Sequence, residues 1–308
     1  MTRGLFLYLS RQDRVRDLIA RLPVARRAAL RFVAGETTEQ AVDVVRQLND
    51  RGLLAITGFL GEHVHTEAEV LEARAAYAEL IAELARSGAR SHVWIKLSAF
   101  GLRQFPDLCR TSVAEITRQA GDIDTRVAVD MEDHTHVDET LAMVRDLRRE
   151  LPNVGTVIQA YLYRSEADMR ALAAEGVSLR LAKGAYQEPP DVAFPRKADV
   201  DANMVKLMRL YLSEESRARG AYLGMATHDL KMIEATKRYV AEHGIPRDAF
   251  EFQMLYGIRR DLQEQLAHEG YRVRVYVPYG SQWYPYYMRR LAERPANAWF
   301  LFSNLLKP

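Results

Sequence analysis

Tyr286, Arg289, Arg290 and Glu293 stand at positions i, i+3, i+4 and i+7 of a helical stretch, a spacing that brings all four onto one helix face. Two adjacent guanidinium groups beside a phenol suit a small carboxylate, because arginine offers a planar donor fork that matches both carboxylate oxygens. The plainer alternative is a solvated face on which Glu293 pairs back to Arg289. A second set of chemically capable residues lies inside apolar runs. Lys96, Gln159 and Arg180 interrupt such runs, and a buried charge is costly unless a partner or a ligand meets it. Asp130 is the natural partner for Lys96.

The elements that must position these residues alternate. Short apolar runs predict strands over 53–57, 93–97, 126–131, 156–161, 178–182, 222–226, 250–255 and 273–277, of which the sixth and seventh are short enough to be mistaken for buried helix. Helical periodicity covers 67–86, 137–150, 166–175, 202–219, 230–242 and 260–269, with glycine stops at Gly176, Gly220, Gly244 and Gly270. Strict alternation implies parallel strands with right-handed crossovers, and eight such units close most economically into a (β/α)8 TIM barrel of the α/β class. The expected division is a helical arm over 1–45 and a catalytic barrel over 46–308. In such a barrel chemistry sits where strands end. Charged and polar residues recur there: Glu62, His63 and His65; Lys96; Asp130, Glu132 and Asp133; Gln159; Arg180, Lys183 and Tyr186; Thr227 and His228; Gln253; and Tyr276.

With 308 residues, 48% of them hydrophobic, the chain can bury a large core. Its formal net charge of +2 gives no electrostatic reason to expect nucleic acid as a partner. Cys109 is the only cysteine, so neither an intrachain disulfide nor a cysteine-based metal site is available. No apolar run approaches the roughly 18 residues that span a bilayer, and the run over 5–9 is too short for a secretory signal. Seven arginines between Arg11 and Arg31 lie in a helical pattern, which suits either an arm packed on its own protein or a helix resting on an anionic membrane.

Two chemistries compete for the strand ends. His63 and His65, with Glu132, Asp133, His134 and His136, suggest a metal-dependent hydrolase. Against it, Lys96, Arg180, Lys183, Arg289 and Arg290 make the site strongly cationic and would repel a dication. The other chemistry places an anionic organic cofactor at the barrel mouth. The run Arg180-Leu-Ala-Lys183-Gly184-Ala185-Tyr186 lets backbone approach a planar ligand, while Thr227 and His228 supply donors suited to phosphate. No G-x-G-x-x-G motif supports a Rossmann site. A non-catalytic barrel that binds an anionic metabolite stays open beside both.

Four segments taken together resemble proline dehydrogenase: Arg180 to Tyr186; Ala226-Thr227-His228-Asp229; Phe250-Glu-Phe-Gln-Met-Leu-Tyr-Gly257; and Tyr276-Val-Pro-Tyr-Gly280 followed by Tyr286-Tyr-Met-Arg-Arg-Leu-Ala-Glu293. The chain is similar to the short, single-function bacterial form over about 58–305. The resemblance implies a distorted barrel that binds FAD and oxidises L-proline to Δ1-pyrroline-5-carboxylate, with quinone as electron acceptor. It also implies roles. Arg289 and Arg290 bind the proline carboxylate, Lys96 completes the charge cluster, Asp130 pairs with that lysine, and Tyr276 and Tyr286 wall the ring. Arg180 stands at the flavin N5 edge. Met131, Gln159, Ala182, Lys183, Gly184, Ala185, Thr227 and His228 contact the flavin, Gln253 and Glu293 join the cofactor set, and Arg196 with Lys197 meets its phosphates. Gln187 replaces an aromatic residue of some relatives. A pyrroline-5-carboxylate dehydrogenase is the implied pathway partner, and the implied setting is the cytoplasm with transient contact on the inner face of the cell membrane.

Overall fold

All eight apolar runs form strands, pointing the same way and pairing in chain order. The computed structural model describes residues 29–61 and 64–293, with backbone alone at 292 and 293. The strands are β1 (Leu54–Phe59), β2 (Ser91–Ile95), β3 (Val127–Val129), β4 (Val154–Gln159), β5 (Ser178–Ala182), β6 (Tyr222–Ala226), β7 (Phe250–Leu255) and β8 (Val273–Tyr279). The sheet closes where β8 returns to β1, in register from Leu54 opposite Arg274 to Phe59 opposite Tyr279.

Around the strands run α1 (Thr38–Asp50), α2 (Glu67–Ser87), α3 (Pro106–Asp122), α4 (Val137–Arg148), α5 (Ser165–Ala174), α6 (Lys197–Tyr211), α7 (Glu214–Ala218), α8 (Leu230–Glu242), α9 (Arg260–His268) and α10 (Trp283–Glu293). Local chemistry fixes their ends. Thr66 caps α2 in a reciprocal box with Glu69, satisfying amides that the first turn leaves open. Gly176 stops α5 at φ +65°, where an added Cβ would collide with the Arg219 carbonyl.

β5 shows how the barrel presents its chemistry. Leu179 and Leu181 are buried, whereas Ser178, Arg180 and Ala182 keep some exposure. With a period of two, one set packs under the helices and the other faces the axis, where the barrel is open enough to hold cavities.

Several boundaries differ from those the periodicity predicts. β3 is three residues long rather than spanning 126–131, because Asp130 turns its carboxylate onto the Met131 amide at 2.9 Å. β2 ends at Ile95, so Lys96 lies just beyond the strand and opens a 3-10 turn over Leu97–Phe100. The helix expected over 202–219 is two: α6 starts earlier, at Lys197, and Ser213 caps a separate α7. Helix α3, which the periodicity does not predict, starts with Pro106 in its first turn. The two strands with the weakest sequence signal, β6 and β7, have the expected bounds.

At the seam the sheet pairs regularly, and it is the flanking helices that are arranged unusually. Helix α1, which precedes β1, packs against β1 and β8 with Ala41, Val42, Val45 and Leu48 buried. The expected arm boundary between 45 and 46 falls inside this helix. Helix α10 instead brings Pro285, Tyr286, Arg289 and Arg290 to the cavity at the carboxyl ends of the strands. Most of the basic stretch expected over 11–33 lies outside the described residues.

Candidate active site at the barrel mouth

A cavity of about 1160 Å³ opens at the carboxyl ends of the strands. Its lining takes residues from nearly every strand end and from α10, which is how this architecture assembles a site. Lys96 follows β2 and Asp130 and Met131 follow β3; Gln159 ends β4; Arg180 and Ala182 come from β5, with Lys183, Gly184 and Ala185 beyond it. Thr227 and His228 follow β6, Gln253 lies in β7, Tyr276 in β8, and Tyr286, Arg289 and Arg290 on α10. Three expected members are not among them. Arg196 is exposed and paired with Asp199 at 2.7 Å, Lys197 donates to Asp201 at 2.7 Å, and the side chain of Glu293 lies outside the described residues.

One wall is aromatic. The rings of Trp94 and Tyr276 lie 5.4 Å apart and those of Tyr276 and Tyr286 6.2 Å apart. A guanidinium caps each end of this row: Arg180 over Trp94 and Arg290 over Tyr286, both at 5.0 Å. Cations against ring faces gain from the ring quadrupole and keep a fixed direction. Sequence reasoning passes over Trp94, although a signal is there. It stands two residues before Lys96, the spacing that puts two side chains on the same side of a strand.

The charges are organised in two groups. Deep in the mouth, burial raises the Asp130 carboxyl from 3.8 to about 6, against the opposing pull of Lys96 and of Arg180. Burial lowers Arg180 from its ordinary value, with Asp130 opposing; a guanidinium starts so high that it remains a cation. Its Nη1 donates to Gln253 Oε1 at 2.6 Å. Nearer the rim, Lys183 donates to Asp201 at 2.5 Å and to Asp229 at 2.7 Å. The hydrogen bond from Lys183 takes the Asp229 carboxyl down to about 2. Lys183 is thus held by two carboxylates. His228 Nε2 accepts from the Leu255 amide at 3.0 Å, and Thr227 Oγ1 from the Asp229 amide at 3.0 Å.

Two histidines of the metal reading, His134 and His136, pair with carboxylates: His134 Nδ1 with Glu188, and His136 Nδ1 with Asp133 at 3.0 Å. Glu132 accepts from the amide and the hydroxyl of Ser98, at 3.1 and 2.8 Å. Among the described residues no group of three or more His, Cys, Asp or Glu side chains could hold a metal ion; His63 lies outside them.

Features of the mouth fit a planar, hydrogen-bonding cofactor. Gln159 donates from Nε2 to the carbonyls of Met131 and Glu132, both at 2.9 Å, while its buried Oε1 has no hydrogen-bond partner among the described residues. A buried acceptor of this kind calls for a donor that the protein does not supply. Gly184 has φ +124° and lies so close to the Tyr161 ring that a Cβ would collide with it, so backbone borders the cavity there without a side chain.

Fold and site together define a class: a (β/α)8 barrel of the enzyme type, with strand-end residues converging on a cationic, aromatic-walled mouth. The chain belongs to the proline dehydrogenase family, whose sequence profile matches residues 41–302. It is 44% identical over 307 residues to Proline dehydrogenase 1 of Bacillus subtilis (strain 168), covering 100% of both chains. It is 46% identical over 284 residues to Proline dehydrogenase of Deinococcus radiodurans, covering 91% of this chain and 90% of that one. Among solved structures, proline utilization A from Bdellovibrio bacteriovorus, inactivated by N-propargylglycine, superposes with a TM-score of 0.81 at 25% identity, over 92% of this chain and 34% of that one. Membership of the family implies a flavin cofactor.

Proposed function

We propose that this protein oxidises L-proline to Δ1-pyrroline-5-carboxylate with FAD as its flavin. When bound, FAD would supply a hydride acceptor at N5, with a quinone as the proposed final electron acceptor. The observation that carries the reading is the convergence of Arg289, Arg290, Lys96 and Arg180 with Trp94, Tyr276 and Tyr286 on one cavity.

Proline has a carboxylate at one end and an apolar methylene face at the other, so its site needs a cationic anchor and a shaped wall. Arg289 and Arg290 are the anchor, with Lys96, which lines the same cavity and interacts electrostatically with Asp130, completing the cationic cluster. Tyr276 and Tyr286 form the wall that orients the ring. Hydride departure leaves an iminium, which the ring nitrogen stabilises only when its lone pair is free; the site therefore acts on proline that has lost its ammonium proton. Arg180, which lines the cavity, would supply a positive charge that favours the anionic, reduced form of a flavin held there. Met131, Gln159, Ala182, Lys183, Gly184, Ala185, Thr227, His228 and Gln253 would hold the cofactor. Helix α10, which lines the mouth with Pro285, Tyr286, Arg289 and Arg290, would limit the entry of water around a bound substrate. Arg196 and Glu293 belong to the proposed cofactor set through the family resemblance.

The product is the substrate of a pyrroline-5-carboxylate dehydrogenase, the proposed pathway partner. Among the described residues no helix is long and apolar enough to cross a membrane. The setting proposed is the cytoplasm, with the protein touching the membrane surface to reach a lipid-dissolved quinone.

Colour tests the reading. Purified protein reconstituted with FAD is expected to be yellow and to bleach when L-proline is added anaerobically. Protein that binds no FAD and stays colourless is an anion-binding barrel instead.

A further inference from the structure

Arg180 and Gln253 belong to strands that are not neighbours. Strand β6 runs between them, and its residue nearest the gap is Gly224, in register with Arg180 on one side and with Glu251 on the other. A side chain at 224 would occupy the gap: a Cβ built there collides with the Gln253 amide. Across this bare backbone Arg180 Nη1 donates to Gln253 Oε1 at 2.6 Å, and Gln253 Nε2 donates to Glu251 Oε1, also at 2.6 Å. The same carboxylate oxygen accepts from Arg274 Nε at 2.7 Å, and Arg274 Nη1 donates to the Ala55 carbonyl at 2.8 Å. Glu251 and Arg274 are only 2% and 6% exposed.

A glutamine amide has two faces, and its neighbours choose between them. A carboxylate paired with arginine can only accept, so it takes the NH2 end of Gln253 and leaves the carbonyl oxygen to face Arg180. Glu251 itself does not line the mouth. It lines a second cavity of about 870 Å³, and Arg180 and Gln253 border both.

We propose that Glu251, paired with Arg274 and acting through Gln253 across Gly224, is a positioning residue that fixes the Arg180 guanidinium for the reaction at the mouth. The inference rests on the proline-oxidising reading of that mouth. Glu251 touches neither substrate nor cofactor; it decides which end of an amide meets the cation that does.

Two variants leave the buried Glu251–Arg274 pair intact and so avoid stranding a charge in the barrel. Gln253→Leu removes the link, and Gly224→Ala displaces it without deleting any hydrogen-bonding group. In FAD-loaded protein both should slow cofactor reduction at saturating proline by about tenfold or more, and both should make the cofactor's reduction potential more negative. The dissociation constant of proline should change by less than about threefold, since the α10 arginines are untouched. Crystals of Gln253→Leu should show the Arg180 guanidinium displaced from the Trp94 face. A residue that merely fills space would lower thermal stability and leave the rate of folded protein, its potential and the Arg180 position as in wild type; that outcome overturns the proposal. If wild-type protein fails to react with proline, the proposed function falls, while the position of Arg180 in the variant still decides the relay.

Discussion

Arg289 and Arg290 differ from ordinary helix-surface arginines in where their helix lies: α10 turns them to the mouth cavity, with Arg290 over the Tyr286 ring. A hydrogen bond to a charged group contributes roughly 1.5–3 kcal/mol, which corresponds to about ten- to a hundredfold in binding. Arg289→Met or Arg290→Met should therefore raise the KM for proline by that factor and lower kcat much less; steady-state kinetics with unchanged KM would contradict the clamp. Asp130 offers a test of a different kind. A carboxyl whose value is raised in the folded state binds its proton more tightly there than in the unfolded chain. Its contribution to stability is complete below the unfolded value near 3.8 and is lost as pH rises through about 6. Asp130→Asn has no proton to lose. It should gain stability relative to wild type as pH rises from ~4 to ~7, by on the order of 2 kcal/mol, since each tenfold difference in proton affinity corresponds to ~1.4 kcal/mol. Urea unfolding across that window checks it, and a constant difference would show that burial does not govern this group.

At the scale of elements, the position of α10 depends on a segment far from it in sequence. The Ala34 amide donates to the Pro278 carbonyl and the Gly280 amide to the Gly35 carbonyl, at 2.8 and 2.9 Å. Trp283 Nε1 donates to Glu36 at 3.2 Å, and the Phe32 and Tyr287 rings lie 6.2 Å apart. Residues 32–36 thus tie down the end of β8 and the α10 helix that lines the mouth. Phe32→Ala should loosen that tie, destabilise the fold by ~3 kcal/mol as buried aromatic truncations do, and raise the KM for proline severalfold at unchanged flavin content. Thermal unfolding with a proline titration measures both effects, and an unaltered KM would show that α10 holds its place without Phe32.

For the whole molecule, one closed sheet unites the sites. Seam strands β1 and β8 join the segment that carries Tyr276 to the rest of the mouth, so cofactor binding and folding are linked. Removing the flavin should lower Tm by several degrees, because a ligand at a hundred times its Kd adds ~2.7 kcal/mol to the folded state; equal melting of flavin-free and flavin-loaded protein would speak against a cofactor in this mouth.

The period of two within strands, the longer helical period between them and the glycine stops make eight parallel units legible from sequence, since these signals arise between near neighbours in the chain. The clamp spacing on α10 and the strand-end polar residues are legible for the same reason. What the sequence by itself leaves undecided is which side chains meet across the sheet. The shear of the closed barrel sets Gly224 opposite both Arg180 and Glu251, and no spacing along one strand encodes that level. Likewise, only tertiary packing placed α1 on β1 and β8 and brought α10 to the mouth. The placement of α10 depends on contacts between segments some 250 residues apart, whose energies belong to the folded surfaces rather than to any local pattern.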